Sequence, residues 1–418
     1  MRILMHRLSF FIVVLIIYSF LDYYVFQAVK VVVGNFTPTG KLVIYILYWS
    51  LTVLSLFAVL AFGSVDTAKY ANLRTFLATA VFMNILAKMT AGLFVFADDI
   101  LRFGKYAYQG LFQNGTPNST SENGISRSEF LSKSALIAGA VPVAAMSYGI
   151  LSGAYDYRVR HRTIALKNLP AAFDGIRIGQ LSDIHSGSFY NKTAVSGGVD
   201  MLNAEKPDLF LFTGDLVNNE SKEVSEYLDI FSKVNATAGK FSVLGNHDYG
   251  YYKAWRSKDE KKRNLEQLVK SHRDMGWDIL LNEHRYVEVD GERLAIMGVE
   301  NWGARGFTKY GDLNKASENV EADTKILLSH DPSHWDAQIR PEHKDIDLTL
   351  SGHTHGFQFG VEIGNFRWSP SQYLYKQWAD LYSVGNQHLY VNRGFGFLGY
   401  PGRVGILPEI TILELKKA

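Results

Sequence analysis

Two hydrophobic patterns divide the chain. Residues 42–63 contain no charged side chain over 22 positions, which suits a helix crossing the ~30 Å hydrocarbon core of a bilayer. Residues 8–29 are nearly as apolar and are interrupted by Asp22; residues 76–97 carry Lys88 near the middle. A fourth run, 134–153, is weaker, rich in Ala and Gly, and holds Pro142. Its length fits a fourth span, and an interfacial helix is the alternative. Between the third and fourth runs, residues 114–126 have the Gly, Ser, Asn and Pro content of a flexible linker. Asp22 and Lys88 are costly in lipid, so they are expected to face each other inside a bundle, with a small polar site as the alternative.

From Tyr155 onward the period changes. Short apolar runs now end in polar residues. The run Ile176 to Leu181 ends at Asp183 and His185. Phe210-Leu211-Phe212 leads into Gly214-Asp215, and Phe241 to Leu244 leads into Gly245-Asn246-His247-Asp248. Ile326 to Leu328 leads into His330, and Leu348 to Leu350 into Gly352-His353-Thr354-His355. Each reads as a buried strand delivering a polar side chain at its C-terminal end, the edge where α/β sheets bind ligands. Helical segments lie between them: Leu265, Leu268 and Val269 share one face, and Gly276 ends that segment. Further strands are expected at 294–299, 389–391 and 410–415. Helices and turns alternate irregularly in the gaps, which predicts a mixed sandwich rather than one parallel sheet. The expected domains are a membrane region of three to four helices at 1–153 and a catalytic unit at 155–418.

Composition narrows the chemistry. The formal charge of the 418 residues is +2, which gives no bulk attraction for nucleic acid. The chain has no cysteine, so a metal site must use His, Asp, Asn or Glu. Asp183, His185, Asp215, Asn246, His330, His353 and His355 form such a set. A carboxylate has two oxygens and can bridge two cations, so seven residues with one bridge divide into two half-sites of four. Carboxylate and imidazole donors suit two divalent ions such as Mn, Fe or Zn.

The ordered motifs Asp183-Ile184-His185, Gly214-Asp215, Gly245-Asn246-His247-Asp248, His330 and Gly352-His353-Thr354-His355 resemble those of the calcineurin-like metallophosphoesterase superfamily. The resemblance covers residues 160–418. It is closest to the bacterial membrane-associated branch, through Ser182 to Gly187 and the tail Tyr390 to Gly396 followed by Pro408-Glu409-Ile410. It implies an α/β/β/α sandwich behind the transmembrane helices. It assigns one metal to Asp183, His185, Asp215 and His355, and the other to Asp215, Asn246, His330 and His353. A hydroxide bridging the two ions would attack phosphorus in a phosphodiester or pyrophosphate, with a lipid-linked compound among the candidate substrates. His247 would donate a proton to the leaving oxygen, and Asp248 would orient His247. One residue departs from the branch: Phe357 stands where a second glycine usually follows the last histidine.

Other residues carry weaker expectations. His334 reads as a structural histidine, with a place lining the pocket as the alternative, and Arg393 and Arg403 are either candidate phosphate contacts or structural arginines. The aromatic then charged stretch 249–263 reads as a solvated helix start, with a cap over the site as the alternative. Ser126-Arg127-Ser128-Glu129-Phe130-Leu131 resembles a twin-arginine export signal with Ser128 in place of the second arginine. The expected location is a multi-pass protein of the bacterial inner membrane. With four spans and the N-terminus inside, flanking Lys and Arg count eight inside to six outside, which favours a cytoplasmic catalytic half; the export-like segment argues the reverse. The alternative functions are a non-catalytic scaffold on the same fold and a membrane sensor.

Overall fold

The computed structural model describes residues 2–62, 70–112, 127–364 and 366–418. The linker at 114–126 and Ser126 of the export-like segment therefore lie outside the described residues. The chain forms two compact units, Met1–Tyr148 and Gly149–Ala418.

The first unit is helical: α1 (Arg2–Val32), α2 (Pro38–Phe62), α3 (Ala71–Phe112) and most of α4 (Arg127–Leu151). Each helix holds a segment long and apolar enough to cross a membrane, at Leu15–Val32, Pro38–Ala61, Leu73–Tyr108 and Glu129–Leu151. The unit is that of a multi-pass membrane protein. Helix α3 continues past residue 97, where the expected span ends, to Phe112, and its apolar segment extends with it to Tyr108. Polarity is inverted relative to a water-soluble bundle. Leucines and phenylalanines such as Phe57, Leu60 and Leu93 face outward, while Asp22 and Lys88 are buried and form an ion pair, as the pattern predicts. Lys88 Nζ also donates to Thr52 Oγ1 at 3.2 Å, and Tyr48 donates to the Asp22 carbonyl oxygen at 2.8 Å. Asn84 Nδ2 donates to Tyr18 and Ser55, both at 2.7 Å. Helices α1, α2 and α3 thus pair most of these polar groups with one another where lipid offers no partner.

The second unit is built on two six-stranded sheets. The first contains β1 (Arg158–Leu166), β2 (Arg177–Leu181), β3 (Leu209–Phe212), β4 (Gly239–Ser242), β5 (Asp278–Ile279) and the last strand, β14 (Glu409–Lys417). The second contains β6 (Glu283–Val289), β7 (Glu292–Gly298), β8 (Thr324–Leu328), β9 (Leu348–Ser351), β12 (Asp380–Val384) and β13 (Gln387–Val391). A short hairpin, β10 (Val361–Ile363) with β11 (Phe366–Trp368), stands apart from both.

Alternation along the strands makes the layers. In β3, Leu209 and Leu211 pack with Ile178, Ile296, Ile326, Leu328 and Leu350 between the sheets. Phe210 and Phe212 point the other way, onto Val195, Val199 and Leu202 of α5 (Lys192–Ala204) and Leu268 of α6 (Lys258–Asp274). On the far side, Met297, Leu327 and Leu389 pack against Trp335 and Ile339. The layers run α/β/β/α, the order that the resemblance implies for the mixed sandwich expected from the pattern. Helix α6 starts at Ser257, whose hydroxyl accepts the Glu260 N–H at 3.1 Å, and stops at Gly276 with φ +73°.

Candidate metal centre

Strand order brings the polar ends together. β2, β3 and β4 are parallel neighbours in one sheet, and β7, β8 and β9 are parallel neighbours in the other. Asp183, Asp215 and Asn246 follow β2, β3 and β4; His330 and His353 follow β8 and β9. The chain turns abruptly off each strand. Asp183, His185, Asp215, His353 and His355 all have φ between +48° and +70°. That left-handed conformation costs a non-glycine residue about 1–2 kcal/mol and clusters at functional sites. The motif glycines permit close approach of the turns. A Cβ on Gly245 would collide with Asp215 Oδ1, and one on Gly352 with Ser182 Oγ and Asp183 Oδ2.

Two donor clusters result. Asp183, His185 and His355 converge, as do Asp215, His330 and His353, and each group could hold a metal ion. His355 Nε2 lies 3.1 Å from Asp183 Oδ1 and 3.0 Å from His185 Nε2. His353 Nδ1 lies 3.2 Å from His330 Nε2. One atom joins the clusters: Asp215 Oδ2 is 3.5 Å from His185 Nε2 and 3.2 Å from His330 Nε2. The other oxygen, Oδ1, accepts the His247 N–H at 2.8 Å.

Outer contacts fix which atom each side chain presents. His330 Nδ1 donates to the Thr213 carbonyl at 2.8 Å and His185 Nδ1 to Asn218 Oδ1 at 3.1 Å, so both Nε2 atoms face inward. Asn246 Nδ2 donates to the Tyr252 hydroxyl at 3.0 Å, which leaves Oδ1 buried without a hydrogen-bond partner among the described residues. His353 Nε2 meets the Tyr375 hydroxyl at 2.8 Å, so Nδ1 is turned to the cluster. An orphaned amide oxygen, two carboxylates and inward imidazole nitrogens suit hard-to-borderline divalent cations.

Electrostatics agree with a site built for positive charge. Burial alone would raise the carboxyls of Asp183 and Asp215, but the imidazoles of His355 and His330 outweigh it and hold both well below the usual carboxylate range. His330 is pushed up to about 10, because Asp215 and Asp183 overcome the penalty of burial. His185 and His353 are lowered by burial.

His247 lies at the mouth, half-buried. Its Nδ1 donates to the Asn218 carbonyl at 2.9 Å, and its ring stacks on Tyr252 at 4.4 Å. Asp248, expected to orient that imidazole, is engaged elsewhere. Its carboxylate accepts N–H groups from Gly245 (2.8 Å), Asp215 (2.9 Å), Leu216 (2.9 Å) and Val217 (3.3 Å), tying the turns after β3 and β4 together. Burial and the Asp215 charge push Asp248 up to about 7. The orienting group for His247 is Asn218, which serves His185 as well.

Three further residues take the structural role that was open to each. Arg393 is fully buried and bonds Glu409 (2.6 Å) and Glu362 (2.7 Å), so it locks strands rather than contacting phosphate. Arg403 is also buried and donates to the Gly394 and Gly396 carbonyls. His334 does not line the site: Ser329 and Gln338 bond its two nitrogens at 2.9 Å, Trp302 stacks on its ring, and burial lowers it to about 4. The stretch at 249–263 divides. Tyr252 reaches the site, while the helix begins only at Lys258. Asn218 and Tyr375 carry no motif, and nothing in their local pattern marks them.

Residues 176–357 match the family model described as calcineurin-like phosphoesterase, and residues 6–154 match the probable calcineurin-like phosphoesterase transmembrane domain. The uncharacterised metallophosphoesterase YkuE of Bacillus subtilis is 30% identical over 300 residues, covering 70% of this chain and 98% of its own. The chain belongs to the calcineurin-like phosphoesterases. It is a metal-dependent phosphoesterase with a membrane domain. A zebrafish (Danio rerio) transmembrane protein with metallophosphoesterase domain is 30% identical over 280 residues, 65% of this chain and 60% of that one. The phosphodiesterase YaeI of Escherichia coli is 28% identical over 261 residues, 62% of this chain and 87% of its own.

Proposed function

We propose that the chain is a dinuclear-metal hydrolase of phosphodiesters or pyrophosphates, lipid-linked ones included, in the bacterial inner membrane, with residues 1–153 as anchor and 155–418 as hydrolase. One observation carries this reading: Asp215 Oδ2 sits between the imidazole nitrogens of two separate donor clusters. Asp183, His185, Asp215 and His355 would hold one ion; Asp215, Asn246, His330 and His353 would hold the other. When bound, such a pair lowers the pKa of a water and stabilises the attacking and leaving oxygens of an in-line displacement.

The chain's own residues then divide the work. Asp215 sets the spacing of the two half-sites. Asn218 aims the His247 ring so that Nε2 presents a proton at the mouth, to the oxygen that leaves phosphorus. Tyr252 holds the Asn246 amide with its oxygen inward. The full-length protein in detergent with Mn should hydrolyse bis(p-nitrophenyl) phosphate. Asp215→Asn should lose about a thousandfold or more in kcat, and His247→Gln should lose kcat while retaining metal. Undiminished hydrolysis by Asp215→Asn would overturn the reading.

A further inference from the structure

The β10–β11 hairpin has its polar face inward. Opposed residues of antiparallel strands share a face, and the next pair takes the other. Glu362 and Arg367 are opposed and point into the domain. Glu362 pairs with Arg393 at 2.7 Å and with Arg160, and Arg367 lies 3.2 Å from Asp380. Val361, Ile363 and Phe366 take the outer face and stand exposed, Ile363 by 72% and Phe366 by 62%. Phe359, just before the hairpin, is exposed too. A contiguous outward apolar face with its charges turned inward is an interaction surface.

Position says what covers it. The segment entering the hairpin is laddered to residue 404: Val404 N–H donates to the Gln358 carbonyl at 2.8 Å, and Gly360 N–H donates to the Val404 carbonyl at 2.9 Å. The next residue back, Arg403, donates its N–H to the Gly149 carbonyl at 3.2 Å. Gly149 lies in the last turn of α4, whose segment Glu129–Leu151 is a membrane span. The hairpin therefore starts from a strip bonded to the end of a membrane helix. Its three-residue strands reach ~10 Å, the depth at which apolar groups enter a bilayer interface.

Phe357 adds an independent observation. Gly356, Phe357 and Gln358 have φ of +53°, +53° and +57°, so the position that a glycine would fill without strain is held by a phenylalanine. Its ring gains no burial in return, being 43% exposed. The strain brings an aromatic ring to the surface beside the hairpin.

We propose that the outer face of the β10–β11 hairpin seats in the phospholipid surface of the membrane that holds α1 to α4. The metal centre is joined to this hairpin at both ends. His353 and His355 precede it, and Tyr375 after it bonds His353. The site consequently meets phosphate esters carried by lipids at the bilayer surface. That last step rests on the phosphoesterase reading; the docking does not.

The chain has no cysteine, so one introduced thiol reports on one place. An environment-sensitive fluorophore would be attached to Ile363→Cys in the full-length protein, reconstituted into vesicles of phosphatidylethanolamine and phosphatidylglycerol. A second label at Glu288→Cys serves as control: it is exposed near the β6–β7 turn, at the end of the sheet opposite the metal edge. The proposal expects blue-shifted emission at 363 that doxyl-labelled lipids quench, and neither effect at 288. Emission typical of water at 363 would overturn it. So would a blue shift that doxyl lipids leave unquenched, since a second copy or another protein would then cover the hairpin. A paired assay separates the substrate step. Ile363→Ser with Phe366→Ser should lower kcat/KM for a phosphodiester presented in the vesicles by about tenfold or more and leave the soluble phosphodiester unchanged. Loss of hydrolysis in the parent protein would defeat the phosphoesterase reading, yet the labels would still report on docking.

Discussion

The side-chain amide of Asn246 could turn either way, and one phenol decides it. Tyr252 accepts from Nδ2, which leaves Oδ1 buried and without a hydrogen-bond partner among the described residues. Such outer contacts are worth about 10- to 100-fold in metal affinity. Tyr252→Phe keeps the ring stacked on His247 but removes the acceptor. It should lose metal to a chelator at about tenfold lower chelator concentration than the parent; equal retention would show that the amide needs no such guide. Asn218 belongs to the same layer, holding His185 by its side chain and His247 by its carbonyl. These contacts were not legible in the sequence. A phenol or amide gains its role only when strands distant in the chain meet, and Tyr252, Tyr375 and Asn218 look like ordinary loop residues until then.

At the scale of elements the sequence was more informative. Short apolar runs ending in His and Asp marked β2, β3, β4, β8 and β9, because a buried strand must be apolar and the residue that leaves it must serve the edge. The pairing of polar ends from two different sheets was less visible, since it depends on order and register. Asp248 illustrates the difference. Its motif position suggested a partner for His247, but four backbone N–H groups of two turns take its oxygens. Helix α6 carries a second testable feature. His272 is fully buried against Ser242 at 3.0 Å, and burial lowers it from 6.5 to about 3. Its neutral form is required by the fold, so its contribution to stability is complete above pH 6.5 and is withdrawn as pH falls toward 3. Unfolding followed by the fluorescence of Trp277, whose ring is 5.8 Å away, should therefore depend less on pH across that window in His272→Asn than in the parent. Equal slopes would refute this assignment.

At the scale of the whole molecule, the membrane unit makes its own prediction. Asp22 and Lys88 form a buried pair between α1 and α3, with hydroxyl neighbours on α1 and α2. Removing one partner leaves an uncompensated charge and costs roughly 3–5 kcal/mol, whereas replacing both by apolar side chains is often neutral. Lys88→Leu should reduce the amount of protein in membranes, and Asp22→Leu with Lys88→Leu should restore it with hydrolysis intact. Restored abundance without hydrolysis would give the pair a functional part. The central claim, two ions joined by one carboxylate, is tested most directly by electron paramagnetic resonance of the Mn-loaded full-length protein alongside metal analysis. We expect two Mn per chain with an exchange-coupled spectrum, and loss of the coupling in Asp215→Asn. A fully active protein with one uncoupled Mn per chain would contradict it.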